Sequence, residues 1–165
     1  RSHLFINLLQ MPKKFDTSRI YELPILRHNV EAIRLIHENA TGASLSDEFL
    51  QKAVEHNTLL GKLIILDNIP IGCVYSHIES TDKETLIVDF VCVLKSYQKR
   101  GLGAFTIQKL IERAVKELSV KRVVALADNG DSKAFFSKIG FEENGEACTV
   151  FDGREIHGTQ MVKRV

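Results

Sequence analysis

The sequence has no charge excess of either sign. Its 22 Lys and Arg face 21 Asp and Glu over 165 residues, a formal net charge of +1. That balance leaves no broad basic surface of the kind that grips nucleic-acid phosphates without regard to sequence. Direct nucleic-acid binding is therefore not expected, whereas a charged protein partner stays compatible. Long apolar runs are also missing. The longest, residues 90–94, is far short of the roughly 20 residues of a membrane span, so a soluble chain without membrane attachment is expected. Cysteine is scarce: Cys73, Cys92 and Cys148 are odd in number, widely spaced and set in apolar or β-like surroundings. They read as buried, reduced thiols of a cytoplasmic or nuclear protein. No CxxC and no Cys/His ligand spacing suggests zinc, so no metal is expected.

What is present suffices for one core. With 44% hydrophobic and 26% charged residues, the chain is long enough for a single buried core and too short for two ordinary domains. Residues 1–18 read as an N-terminal extension and residues 19–165 as the domain. The apolar stretch at residues 4–9 lacks a small-residue cleavage site, which favours a piece of a longer chain over a signal peptide.

Periodicity orders the rest. Residues 20–26 read as a strand, and residues 28–39 place Val30, Ile33 and Ile36 on one helical face, with Thr41-Gly42 as the stop. Ser44-x-x-Asp47 resembles a capping box before a second helix running to about Asn57. Strands at 61–66 and 69–79 form a hairpin about Asp67-Asn68, with Pro70 at a strand start where its missing N–H does least harm. The nearly continuous apolar run 86–94 predicts a central strand covered on both faces, and Asp89 is its one acid. A helix over 102–118 and a strand over 122–127 complete a parallel βαβ unit. A shorter helix over 132–139 stops at Gly140, and strands 141–151 and 155–162 meet at Asp152-Gly153.

Between the apolar strand and the long helix lies Gln98-Lys99-Arg100-Gly101-Leu102-Gly103-Ala104. There, successive backbone N–H groups and a helix N-terminus converge on an anion, and two glycines let phosphates approach. No Gly-Lys-Ser/Thr follows, and G-x-G-x-x-G is incomplete, so neither a Walker loop nor a dinucleotide fingerprint fits. Gln98-x-x-Gly101-x-Gly103 instead resembles motif A of the GNAT acetyltransferase superfamily. Phe135-Phe136-Ser137-Lys138-Ile139-Gly140-Phe141 is similar to that superfamily's motif B.

The resemblance implies an α/β (α+β) GNAT fold: a mixed sheet of about seven strands with four or five helices, splayed between the fourth and fifth strands. It implies acetyl-CoA as the cofactor. The pantetheine arm would meet the backbone of Val91 and Val93, and the pyrophosphate the loop of Gln98, Lys99, Arg100, Gly101, Leu102, Gly103 and Ala104. Asn129 and Phe136 would complete the cofactor site. Lys99 and Arg100 read equally well as solvated loop cations.

Acetyl transfer needs a neutral amine and a polarised carbonyl, and sometimes a proton for the departing thiolate. The family's tyrosine acid falls at Phe136, which cannot supply that proton. The glutamate base of the histone acetyltransferase branch falls at Ile87, equally unable. Asp89, on the same strand face by the period of two, is the candidate catalytic base, against the alternative that it only satisfies neighbouring donors. Burial raises its pKa, and a protonated His77 lowers it. Tyr75, His77 and Glu79 alternate along one face of the adjacent strand. Cys92, between Val91 and Val93, reads as an inert core thiol.

The ending Gly158-Thr-x-Met161 and the segment Ala127-Asp128-Asn129 resemble the histone acetyltransferase branch, so a protein or peptide lysine ranks first as acceptor. The middle of the chain is similar in layout to N-terminal protein acetyltransferases. Tyrosine and histidine positions of one such branch fall at Ile87 and Val124, which counts against it. An N-terminal or small-molecule amine ranks second. A third reading is a catalytically weak acetyl-CoA-binding module in a larger protein assembly.

Overall fold

The computed structural model describes residues 15–56 and 59–165. The apolar stretch at residues 4–9, most of the N-terminal extension and the helix end expected at Asn57 lie outside the described residues.

Seven strands form one mixed sheet in the order β1-β2-β3-β4-β5-β7-β6. They are β1 (Ile20–Pro24), β2 (Gly61–Leu66), β3 (Ile69–Ile78), β4 (Thr85–Val93), β5 (Arg122–Ala127), β6 (Glu142–Phe151) and β7 (Arg154–Arg164). Every neighbouring pair is antiparallel except β4 with β5. Four α-helices cover the sheet among the described residues: α1 (Val30–Thr41), α2 (Asp47–His56), α3 (Leu102–Leu118) and α4 (Gly130–Lys138). The expected mixed sheet and fold class are present.

The apolar stripes explain the layering. Ile107, Leu110 and Ala114 of α3 pack with Val74, Leu86, Val88, Val123 and Met161 on one face of the sheet. Ile33 and Ile36 of α1, with Leu50 and Ala53 of α2, bury Leu63, Cys73 and Cys92 on the other. β4 is apolar apart from Thr85 and Asp89 because both of its faces are covered.

Turn chemistry matches the sequence. Asp67 and Asn68 both take positive φ, 49° and 67°, as a tight two-residue hairpin requires. Gly42 closes α1 at φ 77°, and Asp152-Gly153 repeats the device between β6 and β7, at 49° and 74°.

Several boundaries differ from expectation. β1 stops at Pro24 and α1 begins at Val30, because the Asn29 carboxamide accepts the Leu26 N–H and donates to the Pro24 carbonyl, forming a turn where more strand and helix were expected. The cap of α2 is Ser46 rather than Ser44, its hydroxyl accepting the Phe49 N–H at 3.0 Å. β3 ends at Ile78, so Glu79 falls outside the strand. Cys73 and Cys92 are buried as expected, but Cys148 is exposed, since β6 is an edge strand. No helix among the described residues is long and apolar enough to cross a membrane.

Candidate active site

β4 is held along both edges only in its first half. Thr85, Leu86, Ile87 and Val88 pair in parallel with Arg122, Val123, Val124 and Ala125. Beyond that point β5 continues against β7 as far as Ala127↔Thr159, while β4 continues against β3 as far as Val93↔Gly72. Among the described residues, the edge of residues 89–93 that faces β5 has no strand partner, and its free backbone donors and acceptors need one.

A β-bulge opens this region. Tyr75 pairs with Phe90 and Ser76 with Val88, which leaves Asp89 as the extra residue, and such insertions re-aim side chains. Leu86 and Val88 face the α3 layer, yet Phe90 and Cys92 face the α1 layer and Val91 packs back toward α3. The alternation is reset across one residue.

Asp89 thereby meets His77 of β3. The Asp89 Oδ2 lies 2.7 Å from His77 Nδ1, close enough that Nδ1–H donates to the carboxylate. The carboxylate is only 11% exposed and the imidazole 50%. Burial raises the Asp89 pKa above the ordinary carboxyl value, against the opposing pull of His77. The hydrogen bond to Asp89 holds the His77 pKa above the ordinary imidazole value of 6.5. A half-exposed imidazole oriented by a buried carboxylate is suited to proton transfer near neutral pH.

Aromatic residues neighbour this pair along the two strands, Tyr75 on β3 and Phe90 on β4. Tyr75 stacks on Phe90 with centroids 6.0 Å apart, and Phe49 meets Tyr75 at 4.8 Å and Phe151 at 5.1 Å. Beneath them His37 contacts the edge of Phe90, its Nδ1 is 2.7 Å from the Ala43 carbonyl, and burial lowers its pKa. The tip of the β6–β7 hairpin is fastened over α2, because Asp152 accepts from both the N–H and the hydroxyl of Ser46, at 2.7 and 2.5 Å. Sequence reading did not find this latch, since neither residue belongs to a local pattern that points to the other.

On the α3 side, Gly101 stands at the helix N-cap with φ 86° and no capping side chain, and Lys99 also has positive φ, 64°. Among the described residues no side chain therefore caps the first-turn N–H groups of Leu102, Gly103 and Ala104, which carry the positive end of the helix dipole. A Cβ on Gly103 would lie 2.9 Å from the Phe135 ring, so glycine keeps α3 close to α4 as well as keeping the cradle open.

The remaining site residues take more varied places. Val91 and Val93 are half-buried. The Gln98 side chain donates to the Val93 carbonyl at 2.8 Å and braces the end of β4. Leu102 buries its side chain with Ile64, Leu66 and Ile71, leaving its backbone at the cradle. Lys99 and Arg100 are exposed, with Arg100 over the Phe15 and Tyr97 rings at 5.7 and 5.9 Å. Asn129 caps α4, its side-chain oxygen accepting the Ser132 N–H at 2.9 Å. Phe136 is 5% exposed and packs in the core with Val88, Ala125 and Ala127.

A family model described as the acetyltransferase (GNAT) family matches residues 30–141. The chain belongs to the GNAT acetyltransferase family. A protein of Bacillus subtilis strain 168 named as an acetyltransferase is 32% identical over 107 residues, covering 64% of this chain and 68% of that one. Two solved structures share the fold. Arabidopsis thaliana Naa50, in complex with the bisubstrate analogue CoA-Ac-MVNAL, superposes with a TM-score of 0.71 at 15% identity, over 88% of this chain and 98% of that chain. A mutant of the SpeG spermidine N-acetyltransferase of Vibrio cholerae does so with 0.69 at 14% identity, over 89% and 94%.

This GNAT chain is an N-acetyltransferase that uses acetyl-CoA. Its residues fit that donor: the uncapped α3 N-terminus suits a pyrophosphate, and the unpaired edge of β4 suits the amides of a pantetheine arm. The sheet opening and the Gly101–Gly103 cradle lie at the same end of β4, so one extended molecule can meet both.

Proposed function

We propose that this enzyme transfers acetyl directly to a primary amine of a protein or peptide, a lysine side chain ahead of an N-terminal amine, with the Asp89–His77 pair as its base. The observation that carries the reading is the 2.7 Å contact between a buried carboxylate and a half-exposed imidazole at the bulge where β4 and β5 part. Asp89 holds the Nδ1–H of His77, and His77 Nε2 takes the proton of the incoming ammonium. The freed amine nitrogen bonds to the acetyl carbon as the carbon–sulfur bond breaks. The leaving sulfur is protonated from solvent or by the amine's remaining proton, since Phe136 offers none. Residues 89–93 of β4 orient the arm, and the amides of residues 99–104 hold the pyrophosphate.

The wall of Phe49, Tyr75, Phe90 and Phe151 is aromatic rather than acidic. It suits one amine on an alkyl stem, through ring faces that attract a single cation, better than a polyamine that carries several charges. The peptide-based analogue bound to Naa50 supports a peptide acceptor for this fold, while SpeG is a spermidine N-acetyltransferase.

The test is release of free CoA from acetyl-CoA by purified protein. It is offered, in parallel, histone-tail peptides with blocked N-termini, peptides with a free N-terminus and no lysine, and spermidine. Release with the blocked peptides supports the lysine reading. Release only with free N-termini or only with spermidine replaces the acceptor, and acetyl-CoA binding without release from any of them supports a cofactor-binding module instead.

A further inference from the structure

The β6–β7 hairpin carries a second cluster of reactive side chains that the acetyl-transfer site does not use. Its register sets Cys148 directly opposite His157 and Val150 opposite Glu155. Glu155 and His157 are two residues apart on one strand and share a face, so Cys148, Glu155 and His157 converge. Phe151, three residues after Cys148, points to the opposite face, where it packs on Phe49. β5 and β7 stand between β6 and β4 in the sheet order, and the cluster lies on the hairpin face opposite Phe151.

The three donor atoms lie close together. Cys148 Sγ is 3.2 Å from Glu155 Oε1, His157 Nε2 is 3.3 Å from the same oxygen, and Sγ and Nε2 are 3.9 Å apart. Tetrahedral zinc, with metal–ligand distances of about 2.3 Å to sulfur and about 2.0–2.2 Å to nitrogen and oxygen, separates its ligand atoms by roughly 3.3–3.6 Å. Shifts of a few tenths of an ångström would bring all three onto one ion. The Asp152-Gly153 turn sets the hairpin register that brings the three side chains together. A thiolate, an imidazole and one carboxylate favour a thiophilic ion over magnesium or calcium, which prefer all-oxygen shells. The cluster is open to solvent, which leaves room for water at a fourth position.

We infer that Cys148, Glu155 and His157 form a surface site for one divalent cation of the zinc class, held by three protein ligands and water. The spacing Cys-x6-Glu-x-His does not look like a zinc motif, and only the cross-strand register assembles it. The site rests on the hairpin alone and stands whether or not the acceptor assignment holds.

The experiment is titration of the whole chain with Co2+ under reducing conditions, followed by absorbance. One equivalent should produce a thiolate-to-cobalt charge-transfer band with tetrahedral visible bands, and one equivalent of Zn2+ should abolish both. Cys148→Ser should remove the charge-transfer band, and His157→Gln and Glu155→Gln should each weaken Co2+ binding by about tenfold or more. All three positions are exposed, so circular dichroism and acetyl-CoA affinity should match wild type in every variant. Absence of the charge-transfer band in wild type, its persistence in Cys148→Ser, or unchanged affinity in both His157→Gln and Glu155→Gln would overturn the site.

Discussion

The two halves of β4 share one strand and differ in nearly everything else. Residues 85–88 are paired on both edges, and Thr85, Leu86 and Val88 are buried. Residues 90–93 are paired on one edge only and Asp89 is skipped by the register, with Asp89, Phe90, Val91 and Val93 partly exposed. The first half has both edges engaged in the sheet, and among the described residues the second leaves one edge without a strand partner. Asp89 sits at the boundary, where the bulge changes both the pairing and the face that side chains occupy. Changes in the first half should therefore act on stability, and changes around the second on binding or chemistry.

The sharpest test of that division is Gly103→Trp. An indole at the start of α3 fills the cradle and crowds Phe135, whose ring is already 2.9 Å from a Cβ built at this position. Acetyl-CoA affinity by calorimetry should fall about 1,000-fold, near 4 kcal/mol. Gly103→Ala serves as the folding control, with a much smaller loss. Wild-type affinity in the tryptophan variant would remove the loop from the cofactor site.

The opposite behaviour is expected of Leu86→Ala. Leu86 is 0% exposed and lies in the doubly paired half, so its truncation should lower unfolding free energy by about 3 kcal/mol. Acetyl-CoA affinity, measured well below the transition, should be unchanged. A parallel loss of affinity would mean that the two halves are coupled.

At the boundary, Asp89→Asn should lower kcat about 100-fold with little change in acetyl-CoA affinity. The pH profile separates a role in the proton path from a packing role. His77 is held above 6.5 by Asp89, so wild-type kcat/KM should rise with pH through that raised value as the imidazole becomes neutral. In Asp89→Asn the acid limb should move to lower pH. A limb that stays in place would break the link between the two residues.

The contrast between the halves was only partly legible in the sequence. The long helix at residues 102–118 and the strand at 122–127 fall where periodicity puts them, because each stripe repeats regularly and has a clear stop. Gly101 and Gly103 were readable because the residue type is restricted there, at Gly101 by a φ of 86° and at Gly103 by the close approach of Phe135. The bulge was not readable. In an apolar run buried on both faces, residues 88 and 90 look alike whichever side they occupy, so nothing marks the reset at Asp89. The sequence offers His77 only as an example of a cation that would lower the Asp89 pKa, and their hydrogen bond depends on the register of β3 against β4. Gly158-Thr-x-Met161 has a local explanation: a Cβ on Gly158 would lie 2.2 Å from the Ala127 carbonyl oxygen, and Met161 is fully buried. Packing thus accounts for two residues of a segment whose resemblance had tilted the acceptor toward histones.

Asp152→Ala tests whether the aromatic wall depends on the hairpin latch. Losing both hydrogen bonds to Ser46 should destabilise the protein by about 1–2 kcal/mol, since the partners are near the surface and water replaces part of the interaction. KM for the acceptor should rise while that for acetyl-CoA stays constant, because Phe151 is carried on the same hairpin. An unchanged acceptor KM would show that the wall stands without the latch.

The smallest effect concerns stability rather than rate. His77 binds its proton more tightly in the folded protein than in the unfolded chain, because the folded pKa is raised above 6.5. The stabilisation from this proton is complete below the unfolded value and is lost as pH rises through the folded one. Burial of the Asp89 carboxylate raises its own pKa and counts against wild type, but it adds no slope above the range in which that carboxyl titrates. The Tm of wild type relative to Asp89→Asn should therefore be most favourable just below pH 6.5 and decline as pH rises through the raised His77 pKa. A difference in Tm that does not change with pH would show that the carboxylate does not hold the imidazole's proton, and the base would then have to be sought elsewhere on the aromatic face.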